Sequence, residues 1–198
     1  ATQAVACSLK IRNESSGHDV NLLDLRIAVN GGEPIEKSNI LFGDAIQFGH
    51  QLCSLAGKHK VAISTQVRDL ASNEVLKNQK GKYFVFSQAD EDVVRQLFST
   101  MESNFHDPEF NLPEFSKAMA MSQTQLYRKT TTLTGFSSNN LLTEFRLEKA
   151  IALLRKDRHS ISQIASDTGF SSPSYFTKCF KARYGLLPME YVELLRLS

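Results

Sequence analysis

Cysteine is scarce in this chain. Cys7, Cys53 and Cys179 stand far apart in 198 residues, an odd and scattered set that offers neither a disulfide framework nor a zinc spacing. Each falls in a stretch of helical character, where a small buried hydrophobe in a reducing cytosol is the expectation. His18, His50, His59, His106 and His159 are equally unpatterned, so no metal and no cofactor is expected. No apolar run approaches the roughly 20 residues of a membrane span. No basic region followed by an apolar block opens the chain, so no secretory signal is visible and the cytoplasm is the expected location. The first residue is Ala1 rather than Met, which points to a piece of a longer protein.

What is present suits one or two folded domains. The apolar fraction is 41%, enough for a packed core, and the net charge is only +2. That charge is unevenly spread. Residues 115–185 hold eleven Lys and Arg against four acidic residues, a local net charge of +7, while 90–114 and 186–198 are acidic. A basic region in a near-neutral chain is the electrostatic footprint of a nucleic-acid binder. A solvated helical surface would read the same from charge alone.

Residues 1–88 alternate helical and extended patterns and read as an α/β or α+β unit. An amphipathic helix covers 1–13. Leu23, Leu25, Ile27 and Val29 alternate as a strand should, Asn30-Gly31-Gly32 turns the chain, and a second extended stretch reaches about Phe42. A helix follows from Gly43, with Ile46, Leu52 and Leu55 apolar and Gly57 at its end. Lys60 to Ser64 reads as a strand, the next residues to Leu70 as a short helix, the following polar stretch as a loop, and Lys82 to Phe86 as a last strand.

Residues 89–198 read as an all-α domain with two helix-turn-helix motifs joined by a long helix. Its first helix, from about Glu91 to Asn104, buries Val94, Leu97, Phe98 and Met101, and His106-Asp107-Pro108 ends it. In the first motif Leu112, Phe115 and Met119 form an apolar stripe, Ser122 caps the second helix, and Leu126 to Gly135 completes it. The long helix, Asn140 to Lys156, carries Leu141, Leu142, Phe145, Leu147, Ala150, Ile151 and Leu154, with Glu144 and Glu148 forming supporting charge pairs with their neighbours. In the second motif Ser160 and Gln163 have the spacing of a capping box. Gly169 occupies the turn, where positive φ is free of steric cost. Ser171 or Ser172 caps the next helix, Pro173 suits its first position, and Phe176, Phe180 and Tyr184 face the core. The two motifs are an internal repeat: Leu126 matches Phe176, Arg128 matches Lys178 and Gly135 matches Gly185. A last helix starts at Pro188, with Tyr191, Leu194 and Leu195 closing the core.

Ile164-Ala165, Gly169-Phe170, Tyr175-Phe176, Phe180-Lys181, Tyr184-Gly185, Pro188 and Tyr191 stand in the order and spacing of the second helix-turn-helix of AraC/XylS-type transcription regulators. The first motif resembles the same family in Met121-Ser122, Leu126-Tyr127-Arg128-Lys129 and Leu133-Thr134-Gly135. It departs from the family twice. Ala120 stands where the turn usually has Gly, and a left-handed Ala costs roughly 1 kcal/mol. Thr130 stands where an apolar residue is usual, and Thr130 to Thr132 are weak helix formers, so the first motif is expected to be the less rigid one. The resemblance implies a sequence-specific, DNA-binding transcription regulator with double-stranded DNA as partner. On the first recognition helix Gln123, Thr124, Tyr127 and Arg128 lie away from Leu126 and Leu133. Thr124, Tyr127 and Arg128 are the base-edge candidates by analogy with the family, and Lys129 a phosphate contact. On the second, Ser174, Thr177 and Lys178 are the matching candidates, with Ser172 and Lys181 near the DNA backbone.

The N-terminal unit resembles the C-terminal half of a class III nucleotide cyclase homology domain, in LDLRIAVNGGEP, FGDAIQFGHQLCSLAG and KVAISTQVRDL. It departs where that chemistry resides. Gln47 and Gln51 stand where the family has a ribose-binding Asn and a phosphate-stabilising Arg, and Ile40 where it has a base-reading Asp. The family's metal-binding aspartates belong to a half absent from this sequence. A neutral amide cannot neutralise charge developing on phosphate, so the expectation is a non-catalytic unit that folds, pairs or senses. A homodimer through this unit and a small-molecule effector are further partner expectations. Two rivals stay open: half of a cyclase completed by a partner, and a protein-interaction adaptor that does not bind DNA.

Overall fold

The computed structural model describes residues 1–15, 25–32, 43–56, 60–77, 79, 81–156 and 160–197. They fall into two compact units, one formed by Ala1–Gln96 with Leu133–Gly135, the other by Leu97–Thr132 with Phe136–Ser198.

The first unit is built on a small all-parallel sheet, ordered β1 (Ile27–Val29), β2 (Val61–Ile63), β3 (Tyr83–Val85). Ile27 pairs with Val61, and Val61 with Tyr83. Parallel neighbours need a crossover between them. Helix α2 (Gly43–Leu55) supplies the first, and the short helices α3 (Thr65–Leu70) and α4 (Asn73–Lys77) supply the second. This resolves the unit as α/β. The central strand is fully buried, as a strand covered on both faces must be. Val61 and Ile63 join Val5 and Leu9 of α1 (Thr2–Ser15) and Val67, Ala71 and Leu76 in one core. Helix α2 packs on β1 and β2 outside that cluster, which places it on the Ala62 side.

Several expectations for this unit need correction. Helix α4 lies where a polar loop was expected. On α2 the core face is Phe48, Leu52 and Leu55, at spacings of four and three, whereas Ile46 is 62% exposed. Cys7 is exposed and Cys53 and Cys179 are half-buried, so none is the buried hydrophobe expected. On α1 the inward positions are Val5, Ser8 and Leu9, and Cys7 falls on the outward side of that spacing. The strand residues before 25, the extended stretch to Phe42 with Ile40, and Gly57 lie outside the described residues.

Helix α5 (Gln88–Asn104) begins three residues earlier than the periodicity predicts, because Ser87 caps it. The Ser87 hydroxyl accepts from Asp90 N at 3.2 Å and donates to the Asp90 carboxylate at 2.7 Å. Glu91 lies in the first turn, where a carboxylate suits the helix dipole. It is buried, and its carboxylate accepts from Thr65 N at 2.6 Å, satisfying an amide of the first turn of α3.

The remaining elements are helical: α6 (Leu112–Ala118), α7 (Gln123–Thr134), α8 (Ser138–Leu154), α9 (Ile161–Asp167), α10 (Pro173–Tyr184) and α11 (Pro188–Leu197). Helix α8 buries Leu141, Leu142, Phe145, Leu147, Ala150 and Leu154, the stripe expected of it. Leu147, Ala150 and Leu154 meet Ile164, Ala165, Phe170, Phe176, Phe180 and Val192 in a single core. Phe176 and Phe180 are wholly buried, each contributing about 2–3 kcal/mol of hydrophobic stabilisation. On α11 the inward residues are Val192 and Tyr191, and Leu194 points out at 54% exposure, contrary to the closing role expected of it and of Leu195. Among the described residues no helix is long and apolar enough to cross a membrane.

Candidate nucleic-acid interface

Two helical hairpins, α6–α7 and α9–α10, carry the candidate contacts. Their turns are built alike. In the first, Ala120 N donates to Lys117 O and Met121 N to Ser116 O, both at 3.0 Å. In the second, Gly169 N donates to Ser166 O at 3.1 Å and Phe170 N to Ala165 O at 2.9 Å. Each pair is a Schellman motif, which requires a left-handed residue at its centre. Gly169 supplies φ 73° and Ala120 φ 52°. The second turn is one residue longer: two residues separate Ala120 from Gln123 at the start of α7, and three separate Gly169 from Pro173 at the start of α10.

Gly169 is required for a second reason. A Cβ built there would lie 1.9 Å from Phe105 O and 2.9 Å from Arg146 Nε. That carbonyl belongs to a segment which Arg146 gathers from α8. Its Nε donates to Phe105 O at 2.9 Å, and its Nη2 donates to Asp107 O at 2.7 Å and Phe110 O at 3.1 Å. Burial draws the Arg146 pKa down, and the Asp107 charge opposes this.

The recognition helices begin on well-formed caps. Ser122 and Gln125 make a full capping box: Ser122 Oγ accepts from Gln125 N at 3.2 Å, and Gln125 Oε1 accepts from Ser122 N at 2.9 Å. Ser172, not Ser171, caps α10, accepting from Tyr175 N at 3.2 Å with Pro173 behind it. Ser160 caps α9 through Gln163 N at 3.2 Å, while the Gln163 amide donates down the helix to Asp167 at 2.7 Å.

On α7, Gln123, Thr124, Arg128 and Lys129 are exposed, and Tyr127 is 52% exposed. Leu126, Thr130 and Leu133 are buried on the other side. On α10, Ser174, Lys178 and Lys181 are exposed, Ser172 and Thr177 are half-buried, and Phe176 and Phe180 face inward. Each helix thus gathers its candidates on the side away from its core.

The charge of the basic region is less available than its sum suggests. Three of the eleven cations are used inside the domain. Arg146 holds carbonyls. Lys149 Nζ donates to Glu102 at 2.6 Å, and Arg183 Nε donates to Glu144 Oε2 at 2.6 Å, joining the end of α10 to α8. Glu144 therefore pairs across the helix junction rather than along its own helix. Lys117, Arg128, Lys129, Arg155, Lys156, Lys178 and Lys181 remain exposed, and Arg158 lies outside the described residues. In the sequence these three count with the rest as surface charge; that they are half-buried and engaged with partners appears only once the helices are packed. Tyr175, a family anchor in the sequence but absent from the contact candidates, is 47% exposed, and its ring lies 5.9 Å from that of Phe170 at a tilt of 59°. The Tyr175 pKa is raised, first by a hydrogen bond with the Cys179 side chain and then by partial burial.

Two capped hairpins with left-handed turns, docked on one long helix, define a helix-turn-helix domain. Residues 115–193 match the protein-family model described as a helix-turn-helix domain. The chain is 35% identical over 105 residues to histidine kinase P4 of Formosa agariphila, across 53% of this chain and 8% of that protein. It is 34% identical over 100 residues to the HTH-type transcriptional activator RhaS of Mannheimia succiniciproducens, across 50% of this chain and 37% of that one. The chain therefore spans well under half the length of both curated relatives. Among solved structures, a Chromobacterium violaceum transcriptional regulator, described as an AraC-type DNA-binding domain-containing protein, matches at 25% identity with TM-score 0.50, over 55% of this chain and 96% of that one. The C-terminal part of the chain is an AraC-type helix-turn-helix domain.

Proposed function

We propose that the chain is a sequence-specific DNA-binding transcription regulator whose recognition helices α7 and α10 read successive major grooves of double-stranded DNA, in the cytoplasm. The observation that carries this reading is the paired construction of the two hairpins, with a serine cap, a Schellman motif ending the first helix and the same exposed side on each recognition helix. Helix α8, at 17 residues, is about 25 Å long. A strut of that length suits two readers set about one DNA turn, 34 Å, apart. Arg128 offers bidentate pairing with guanine and Gln123 suits adenine. Thr124 and Tyr127 complete the first reader. Ser174, Thr177 and Lys178 form the second, and Lys129, Ser172 and Lys181 serve the phosphates. For the N-terminal unit the proposal is a cyclase-like but non-catalytic element used for pairing or sensing. Neutral Gln47 and Gln51 support the lack of catalysis. A homodimer through this unit and a small-molecule effector belong to the same reading.

Binding of duplex DNA as a function of salt tests it. Arg128, Lys129, Lys178 and Lys181 are the exposed cations on the two recognition helices. The two assigned to phosphates, Lys129 and Lys181, give a slope of log K against log salt of about −2. The whole basic region would have suggested a steeper slope, but Arg146, Lys149 and Arg183 are engaged with partners within the domain. A slope near zero would favour the adaptor reading.

A further inference from the structure

The internal repeat seats its two recognition helices by different chemistry. With Leu126 matched to Phe176 and Gly135 to Gly185, Thr130 corresponds to Phe180 and Ser138 to Pro188. In the second copy this place is wholly apolar. Phe180 is fully buried and packs on Phe176 at 5.6 Å, Tyr184 at 4.7 Å and Tyr191 at 5.7 Å. In the first copy the same place holds two hydroxyls. Thr130 is 0% and Ser138 1% exposed, and their oxygens lie 3.0 Å apart.

The hydrogen bonds have a direction. Thr130 Oγ1 donates to Tyr127 O, one turn back, at 3.1 Å. A hydroxyl has one proton to give, so in the arrangement in which Thr130 donates to Tyr127 O, Ser138 donates between the two hydroxyls. The chain of donors runs from Ser138, the first residue of α8, through Thr130 to the backbone of Tyr127. Tyr127 and its neighbour Arg128 are candidate base readers.

We infer that the buried Ser138–Thr130 hydroxyl pair is a positioning element that sets how Tyr127 and Arg128 are presented, and so helps to determine which bases the first recognition helix prefers. An apolar pair of similar volume would hold α7 in place without fixing the Tyr127 carbonyl. The inference rests on the DNA-binding reading above and extends it to two residues that face the domain interior.

The test uses the full chain and three variants: Thr130→Val, which keeps shape and removes the hydroxyl, Thr130→Ser, which keeps the hydroxyl, and Ser138→Ala. Each is titrated against duplexes carrying every single-base change of a sequence selected by the unaltered chain, with thermal unfolding measured in parallel. Thr130→Val and Ser138→Ala are expected to lower the preference by about tenfold at the base pairs read by the first helix, part of the value of one bidentate contact. Preference at the other half-site should not change, and Thr130→Ser should restore the pattern. Equal loss at both half-sites, or an unchanged preference pattern in a destabilised Thr130→Val chain, would overturn the positioning role while leaving DNA binding intact. Failure of the unaltered chain to bind any duplex would instead remove the DNA-binding reading itself.

Discussion

Gly169→Ala sets a local clash against the whole domain. The backbone there has φ 73°, and an alanine in the left-handed region costs about 1 kcal/mol. The larger cost is spatial. The new Cβ would sit 1.9 Å from Phe105 O, and that carbonyl must retreat by about 1 Å before the contact becomes tolerable. Retreat takes it from Arg146 Nε, which donates to it at 2.9 Å. A hydrogen bond to a charged group contributes about 1.5–3 kcal/mol. Together the effects amount to about 2.5–4 kcal/mol, at the severe end for a single substitution. The chain has no tryptophan, so urea unfolding followed by far-UV circular dichroism is the suitable assay. Alanine at 120 already shows that a left-handed methyl is tolerated where nothing crowds it. A loss of no more than about 1 kcal/mol for Gly169→Ala, the backbone cost alone, would refute the claim that the Phe105–Phe110 segment is locked by Arg146.

The companion change, Ala120→Gly, should raise stability by about 0.5–1 kcal/mol, because glycine relieves the positive φ at that turn; a lower unfolding midpoint would contradict it. Arg128→Ala should cost about 1–3 kcal/mol at one base pair and relax the preference there, whereas Lys181→Ala, at a phosphate contact, should weaken all sequences evenly. Titrating both variants against single-base duplex variants decides this, and the opposite pattern would reverse the assignment of reader and anchor.

The helix-turn-helix half was legible because its signals are local. Ser122, Ser160 and Ser172 cap the helices they precede. Gly169 and Gly185 take positive φ. Ala120 was marked as the anomaly of its turn and is the single non-glycine residue with positive φ among those described. What the sequence hid depends on tertiary packing. Nothing in the spacing of Arg146 separates it from a surface cation; only folding brings three carbonyls around it. Thr130 read as a weak helix former, yet it is buried, because Ser138 arrives eight residues later to satisfy it. In the N-terminal unit the alternation over Ile27 and Val29 located a strand, but strand order is a long-range property that periodicity does not carry. On α2, Ile46 stands two residues before Phe48, on the opposite side of the helix from the Phe48, Leu52 and Leu55 face, and is exposed.

The central claim is that one chain presents two recognition helices to one DNA duplex. Selection from a pool of random duplexes by the full chain, with sequencing of the bound fraction, tests it most directly. The expected result is a motif of two short blocks whose centres lie about 10–10.5 base pairs apart, the spacing of successive major grooves on one face. The block read by α7 should be the more sharply defined, since Arg128 can pair bidentately with guanine while Ser174 and Thr177 read bases less selectively. A bound fraction without enrichment, or a motif with a single block, would contradict the claim.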